Sequence, residues 1–369
     1  MTEPTTGAPA SAPSEPPRDH VDGAAPPGDA ARRRTFRRRR LVVAAVAVAV
    51  VLVGFVGWFL AEAYPIGGQG ASALVQVKEG EPLSQVISAL AAKGVVGSGF
   101  AFRLDLALTG SPSPAPGWYA IPTNSSFSAV KTALGNGPNT EAVQVSPAET
   151  TLEVAQALTS AESGTFATRF LSLVRNGAVA SPFQDRPHAS LEGLLAPGTY
   201  VLVPGERPET LLSQMVGGFT ARAASVGLTP STTAHGLDAY QLVTVASIVE
   251  KEGYLARNMP KVATVVFNRL AKGSPLQMDA TVLYALGRDG GTVTHATESI
   301  DSPYNTYLHT GLTPSPICLP STEALDATLH APSGPWLYFT LVDRTGTLAF
   351  ASTFAQQLAN EAIGARNGV

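Results

Sequence analysis

Cysteine is all but missing from this sequence: of 369 residues only Cys318 carries a thiol. A single cysteine excludes an internal disulfide and a CxxC metal site. In its Pro-rich surroundings it reads as a small buried hydrophobe rather than a nucleophile. Charge is scarce too, at 14% of residues and a formal net charge of -3, which excludes a basic nucleic-acid binder. His295, His309 and His330 show no ligand spacing such as HxxxH, so no metal is expected. No GxSxG, Walker or dinucleotide-type glycine pattern occurs in a suitable context, so no cofactor is expected either. No solenoid-type repeat occurs.

What is present starts with an asymmetry. Residues 1–60 hold eight Lys/Arg against five Asp/Glu, which leaves residues 61–369 at -6. Residues 1–40 read as a disordered cytoplasmic tail, rich in Pro, Ala, Ser, Thr and Gly and ending in the arginine cluster Arg32 to Arg40. Leu41 to Leu60 then runs twenty residues without a charge. At about 1.5 Å per residue such a helix spans the roughly 30 Å hydrocarbon core. Trp58 falls at its far end, where an indole favours the interface. Arginines before the span place the N-terminus in the cytoplasm and everything after Leu60 outside, in a single-pass cell-membrane protein. A cleaved signal peptide is the alternative, because Ala61-Glu62-Ala63 has the form of a cleavage site. The apolar run is longer than the usual 7–15 residue signal core and a long tail precedes it, so the anchor is preferred. The arginine run also admits nucleic-acid binding, but beside a membrane span topology and attraction to anionic lipid explain it more plainly.

Residues 61–73 read as a linker. Residues 74–138 carry a strand–helix–helix–strand–helix pattern: Leu74 to Val77 alternates, Leu83, Val86, Ile87, Leu90 and Ala91 form an apolar helix stripe closed by Gly94, and Trp118 to Ile121 is a second short strand. From residue 139 to 360 strands and helices mix without regular alternation. Helices are expected over Leu211–Phe219, over Leu237–Glu252 with a start signal at Asp238, and over Lys261–Leu270. A β-hairpin is expected around Asp343-Arg344-Thr345-Gly346. The class is α+β.

The segment richest in chemistry is Ala246-Ser247-Ile248-Val249-Glu250-Lys251-Glu252. The helix before it is apolar enough to be buried, yet two carboxylates stand at its C-terminal end. The negative pole of the helix dipole and partial burial both raise a carboxyl pKa there, as general-acid cleavage of a glycosidic bond requires. A solvated helix end with Lys251 partnering either carboxylate is the plainer alternative. Gln277, Asp279 and Thr281 alternate and line one face of an extended segment, either in a site or on a surface strand edge. Tyr304, Asn305 and Tyr307 gather aromatic faces and an amide at a proline turn, which suits sugar binding or simple packing.

These pieces together resemble the endolytic murein transglycosylases of the MltG (YceG-like) type. The resemblance rests on ASIVEKE at 246–252, KVATVVFNRLAKG at 261–273, LQMDATV at 276–282, SPYNTY at 302–307, GLTPSPI at 311–317, WLYF at 336–339 and SLEGLLAPGTY at 190–200. It implies a LysM-like subdomain at 74–138 and a YceG-like catalytic domain at 139–360. It implies peptidoglycan glycan strands as substrate, peptidoglycan synthases as candidate partners, and internal cleavage of nascent strands that leaves a 1,6-anhydro-N-acetylmuramic acid end. It places the acid/base on Glu250, the first glutamate of the VEKE run. Gln277, Asp279, Tyr304 and Asn305 would then orient the sugars or polarise it, with Glu192 and Glu252 in support. Gly198, Ala280, Leu319 and Gln357 depart from the family pattern and bear on substrate fit and rate. A hydrolase in which Asp279 activates water, and a cell-wall scaffold without turnover, are the rival readings.

Overall fold

The computed structural model describes residues 29–161 and 163–369, with the backbone alone for residues 29–36. The disordered reading of residues 1–28 lies outside the described residues. The chain divides into two units, Met1–Ala61 and Glu62–Val369. In the first, α1 (Asp29–Ala63) is one helix of 35 residues, and its Arg37–Ala63 part is long and apolar enough to cross a membrane. The arginine run is helical, which corrects its assignment to a disordered tail. Arginine and alanine are good helix formers and extend a helix already nucleated by the apolar stretch.

The second unit opens with the expected strand–helix–helix–strand–helix order: β1 (Ser72–Val77), α2 (Leu83–Ala92), α3 (Gly99–Thr109), β2 (Gly117–Pro122) and α4 (Phe127–Asn136). β1 and β2 pair antiparallel, and Val75 and Tyr119 face each other in full burial. The α2 stripe buries Val86, Ile87 and Leu90 against them. Ser98 and Ser126 cap α3 and α4 by accepting from Ala101 N and Ala129 N.

A second antiparallel pair joins β3 (Glu141–Val145) to β4 (Gly198–Leu202), with α5 (Thr151–Ala161) and α6 (Gly164–Arg175) between them in sequence. α7 (Pro208–Ser225) leads to α8 (Ala239–Glu252), the centre of the core. Asp238 and Gln241 start α8 with a reciprocal capping box. Every residue from Leu242 to Val249 is buried. α8 packs on α9 (Met259–Ala271), on the short α10 (Asp279–Ala285) and on α11 (Thr322–Leu329). β5 (Tyr338–Leu341) and β6 (Leu348–Ala351) form the expected hairpin, and α12 (Phe354–Asn367) packs against both. The architecture is mixed α+β with separate two-stranded sheets among the described residues.

One local expectation fails. Residues 276–282 are not an extended segment. Gln277 takes a left-handed backbone (φ 52) and Asp279 starts α10. An acidic residue suits the first turn of a helix, and three alternating polar residues are too few to specify a strand once that start signal is present.

Candidate active site

The C-terminal end of α8 carries its two carboxylates in opposite directions. Consecutive helix residues are turned by about 100°, so positions two apart point roughly 200° apart. Glu250 faces α11: its Oε2 accepts from Ser321 N at 2.8 Å, where Ser321 is the cap of that helix. Burial raises its carboxyl pKa, opposed by hydrogen bonding to Ser321. Glu250 lines none of the described clefts. Its bond to Ser321 links the end of α8 to the start of α11.

Glu252 faces the other way and lines two adjoining clefts. The first, about 460 Å³, is walled by Gln277, Asp279, Tyr307, Tyr338 and the hairpin. The next, about 300 Å³, is walled by Lys251, Ala280, Tyr284 and the Gly290-Gly291 turn. Tyr254 and Asp279 border both. Glu252 Oε1 accepts from Ala280 N at 3.0 Å, at the start of α10. Burial pushes its carboxyl up to about 7, the Ala280 bond pulls it down, and the nearby Asp279 charge pushes it up again. The result is a carboxyl group that exists in both protonation states near neutral pH.

The turn after α8 holds this geometry. A Cβ at Gly253 would stand 2.6 Å from Met259 Cγ and 2.8 Å from Val249 O, so only glycine fits there. Buried Asn258 then donates from Nδ2 to Gly253 O and Gly346 O, tying the turn to the β5–β6 hairpin. Arg269, on the α9 stripe otherwise made by Val262, Val265 and Val266, is buried. It donates to Leu337 O, Pro275 O, Leu276 O and Gln277 Oε1, and so builds the wall opposite Glu252.

Of the other expected residues, Gln277 and Asp279 are exposed in the first cleft, and Tyr307 lines it while donating to Asp279 Oδ1. Thr281 is buried, bonded to Met278 O and Thr306, and faces the core. Asn305 is also fully buried: its amide donates to Glu298 O and Ile300 O, holding its own loop. Tyr304 donates to or accepts from Ser315 and packs on the Tyr284 ring. None of these three lines a described cleft, and their bonds are made within the protein. Backbone carbonyls close by satisfied Asn305 and the core absorbed Thr281, which residue type alone does not reveal. Glu192 is buried in a further cleft of about 340 Å³, accepting from Thr151 N and Oγ1, and burial pushes its pKa up to about 7. Gly193 beside it has φ 76, and a Cβ there would stand 2.2 Å from Pro316 Cβ.

Tyr254 was missed in sequence. It is 64% exposed, sits at φ 57 and borders both clefts beside Glu252. An exposed ring held in a strained backbone beside Glu252 has the placement to stack on a sugar face. The available signal was an aromatic two residues after the second glutamate. Tyr254→Gly is expected to raise KM about tenfold, from the lost stacking area, while stabilising the fold by ~0.5–1 kcal/mol through relief at positive φ. An unchanged KM for that variant would remove the stacking role.

The sequence profile of the YceG-like family matches residues 75–362. The chain is 28% identical over 298 residues to an endolytic murein transglycosylase of Bacillus subtilis strain 168, covering 76% of this chain and 82% of that protein. It is 34% identical over 168 residues to an endolytic murein transglycosylase of Streptococcus pneumoniae R6, covering 44% of this chain and 30% of the longer relative. A YceG-like protein of Listeria monocytogenes, solved as a crystal structure, aligns at a TM-score of 0.52 and 23% identity over 79% of this chain and 99% of that chain. That likeness concerns the fold.

Proposed function

The chain belongs to the YceG-like family, and from that premise we propose that it is a membrane-anchored lytic transglycosylase of peptidoglycan, a lyase cutting glycan strands internally with Glu252 as acid and base. The carrying observation is a single carboxyl group, poised near neutral pH, where two clefts meet. A strand laid through both has sugars on either side of the cut, which suits internal rather than terminal cleavage.

Protonated Glu252 donates to the glycosidic oxygen as the bond from C1 breaks. The carboxylate then takes the proton of the C6 hydroxyl, and O6 closes on C1. No water is added, one acid/base suffices, and the muramic acid ends as its 1,6-anhydro form. Ala280 N–H stabilises the carboxylate between the two transfers, and Tyr307 fixes Asp279 beside it. The arginines ahead of the apolar part of α1 support a cytoplasmic N-terminus with the second unit outside. The three-helix, two-strand module before residue 138 suits a LysM-like role in holding the strand, and peptidoglycan synthases are the natural partners for a cut in nascent strands.

The test is full-length protein in detergent incubated with uncrosslinked glycan strands and analysed by product mass. Internal fragments lighter by one water than hydrolysis products are expected. Asp279 lies beside Glu252, so a two-carboxylate hydrolase is the second reading; fragments carrying the added water would establish it instead. No fragments would leave a scaffold.

The pH profile follows from Glu252. The reaction begins with its protonated form, so kcat/KM is expected to be flat in mild acid and to fall tenfold per pH unit above about 7. A profile flat to pH 9 would remove Glu252 as the acid.

A further inference from the structure

The groove does not end at the two clefts around Glu252. The smaller of them shares Thr150, Tyr284 and Arg288 along its lining with the cleft over Glu192, so that cleft adjoins it. Two guanidinium groups line this far branch: Arg175 from the last turn of α6, and Arg288 just after α10. Neither forms a hydrogen bond or ion pair with any described residue. The two carboxylates in the same branch are occupied. Glu153 accepts from Thr150 N and Oγ1, and Glu192 from Thr151 N and Oγ1, so both are turned onto the start of α5. The branch therefore presents two exposed guanidinium cations without ion partners, and the planar fork of each suits a carboxylate. The sugars of the strand carry no charge of their own once their lactyl groups bear peptides; the peptides do.

We propose that this far branch is a subsite for the stem peptide of a muramyl residue, with Arg175 and Arg288 binding its carboxylates. The inference rests on the transglycosylase reading and names a part of the substrate that reading leaves open. It makes the enzyme discriminate strands by the charge of their peptides.

The test uses full-length protein in detergent and lipid-free, uncrosslinked strands with acetylated amino groups. In one portion the stem carboxylates are also converted to methylamides. Wild type is expected to show a KM about tenfold lower for the free-carboxylate strands, from charge-assisted bonds to two arginines. In Arg175→Gln/Arg288→Gln the ratio of the two KM values is expected to fall close to one, and in Arg175→Lys/Arg288→Lys to be intermediate. The ratio is internal to each protein, so lower overall activity does not mimic the effect; if the double variant does not fold, either single glutamine variant is expected to lower the ratio. A wild-type ratio of one, or variants that keep the wild-type ratio, overturns the subsite while strands are still cut. Wild type that cuts neither portion overturns the transglycosylase reading itself, and the subsite with it.

Discussion

Glu252→Gln is expected to lower the rate of strand cleavage by about 10³- to 10⁴-fold, the upper part of the range for general acid/base catalysis, because one group performs both proton transfers. Glutamine keeps the acceptor for Ala280 N–H, so the fold is retained and the loss is chemical. Glu250→Gln is the control that separates the two glutamates. Its amide oxygen still accepts from Ser321 N, and the change is near-isosteric, so the cost is expected at ~0.5 kcal/mol and the rate within about threefold of wild type. Single-turnover rates on uncrosslinked strands, with thermal melts alongside, decide between them. Equal rates for Glu252→Gln and wild type would sink the assignment; a large loss in Glu250→Gln with an unchanged melt would return it to the first glutamate.

The second large effect is on the wall of the first cleft. Arg269→Leu removes the donor to three backbone carbonyls, that of Leu276 buried and those of Pro275 and Leu337 part-buried, and to Gln277 Oε1 at the cleft surface. Acceptors left without their donor and the loss of a buried cation bonded through Nε and Nη1 together are expected to cost about 3–5 kcal/mol. That is a large share of the 5–15 kcal/mol typical of a folded domain. Arg269→Lys does not rescue it, because an ammonium cannot span acceptors that the planar guanidinium reaches on two sides. Equilibrium denaturation in urea measures this directly. A midpoint shift equivalent to less than about 1 kcal/mol would mean that the carbonyls find water or other donors, and that the wall stands without the arginine.

Much of the backbone was legible. The βααβα order of residues 74–138, the long α8 with its Asp238 start, α9 and the β5–β6 hairpin all follow from patterns within a dozen residues of chain. α10, α11 and α12 escaped because they are short or weakly apolar, and their positions are set by what they pack against. The site was less legible. Asn305 and Thr281 have the right chemistry for sugar contacts, but backbone carbonyls and core neighbours consume it. Arg269 and Tyr254 were overlooked because one hides in an apolar stripe and the other follows the motif instead of belonging to it.

Local sequence determined that a buried helix ends in two carboxylates, since eight consecutive core residues and a capping box leave that segment no other conformation. It also determined the charge-free span of α1 and the family to which the chain belongs. Only the tertiary structure decided which carboxylate lines the clefts. Glu250 and Glu252 differ by about half a turn about one helix axis, so α11 covers the first and the clefts beside α10 receive the second. Contacts between segments tens of residues apart set that rotation, and no pattern within the helix encodes it.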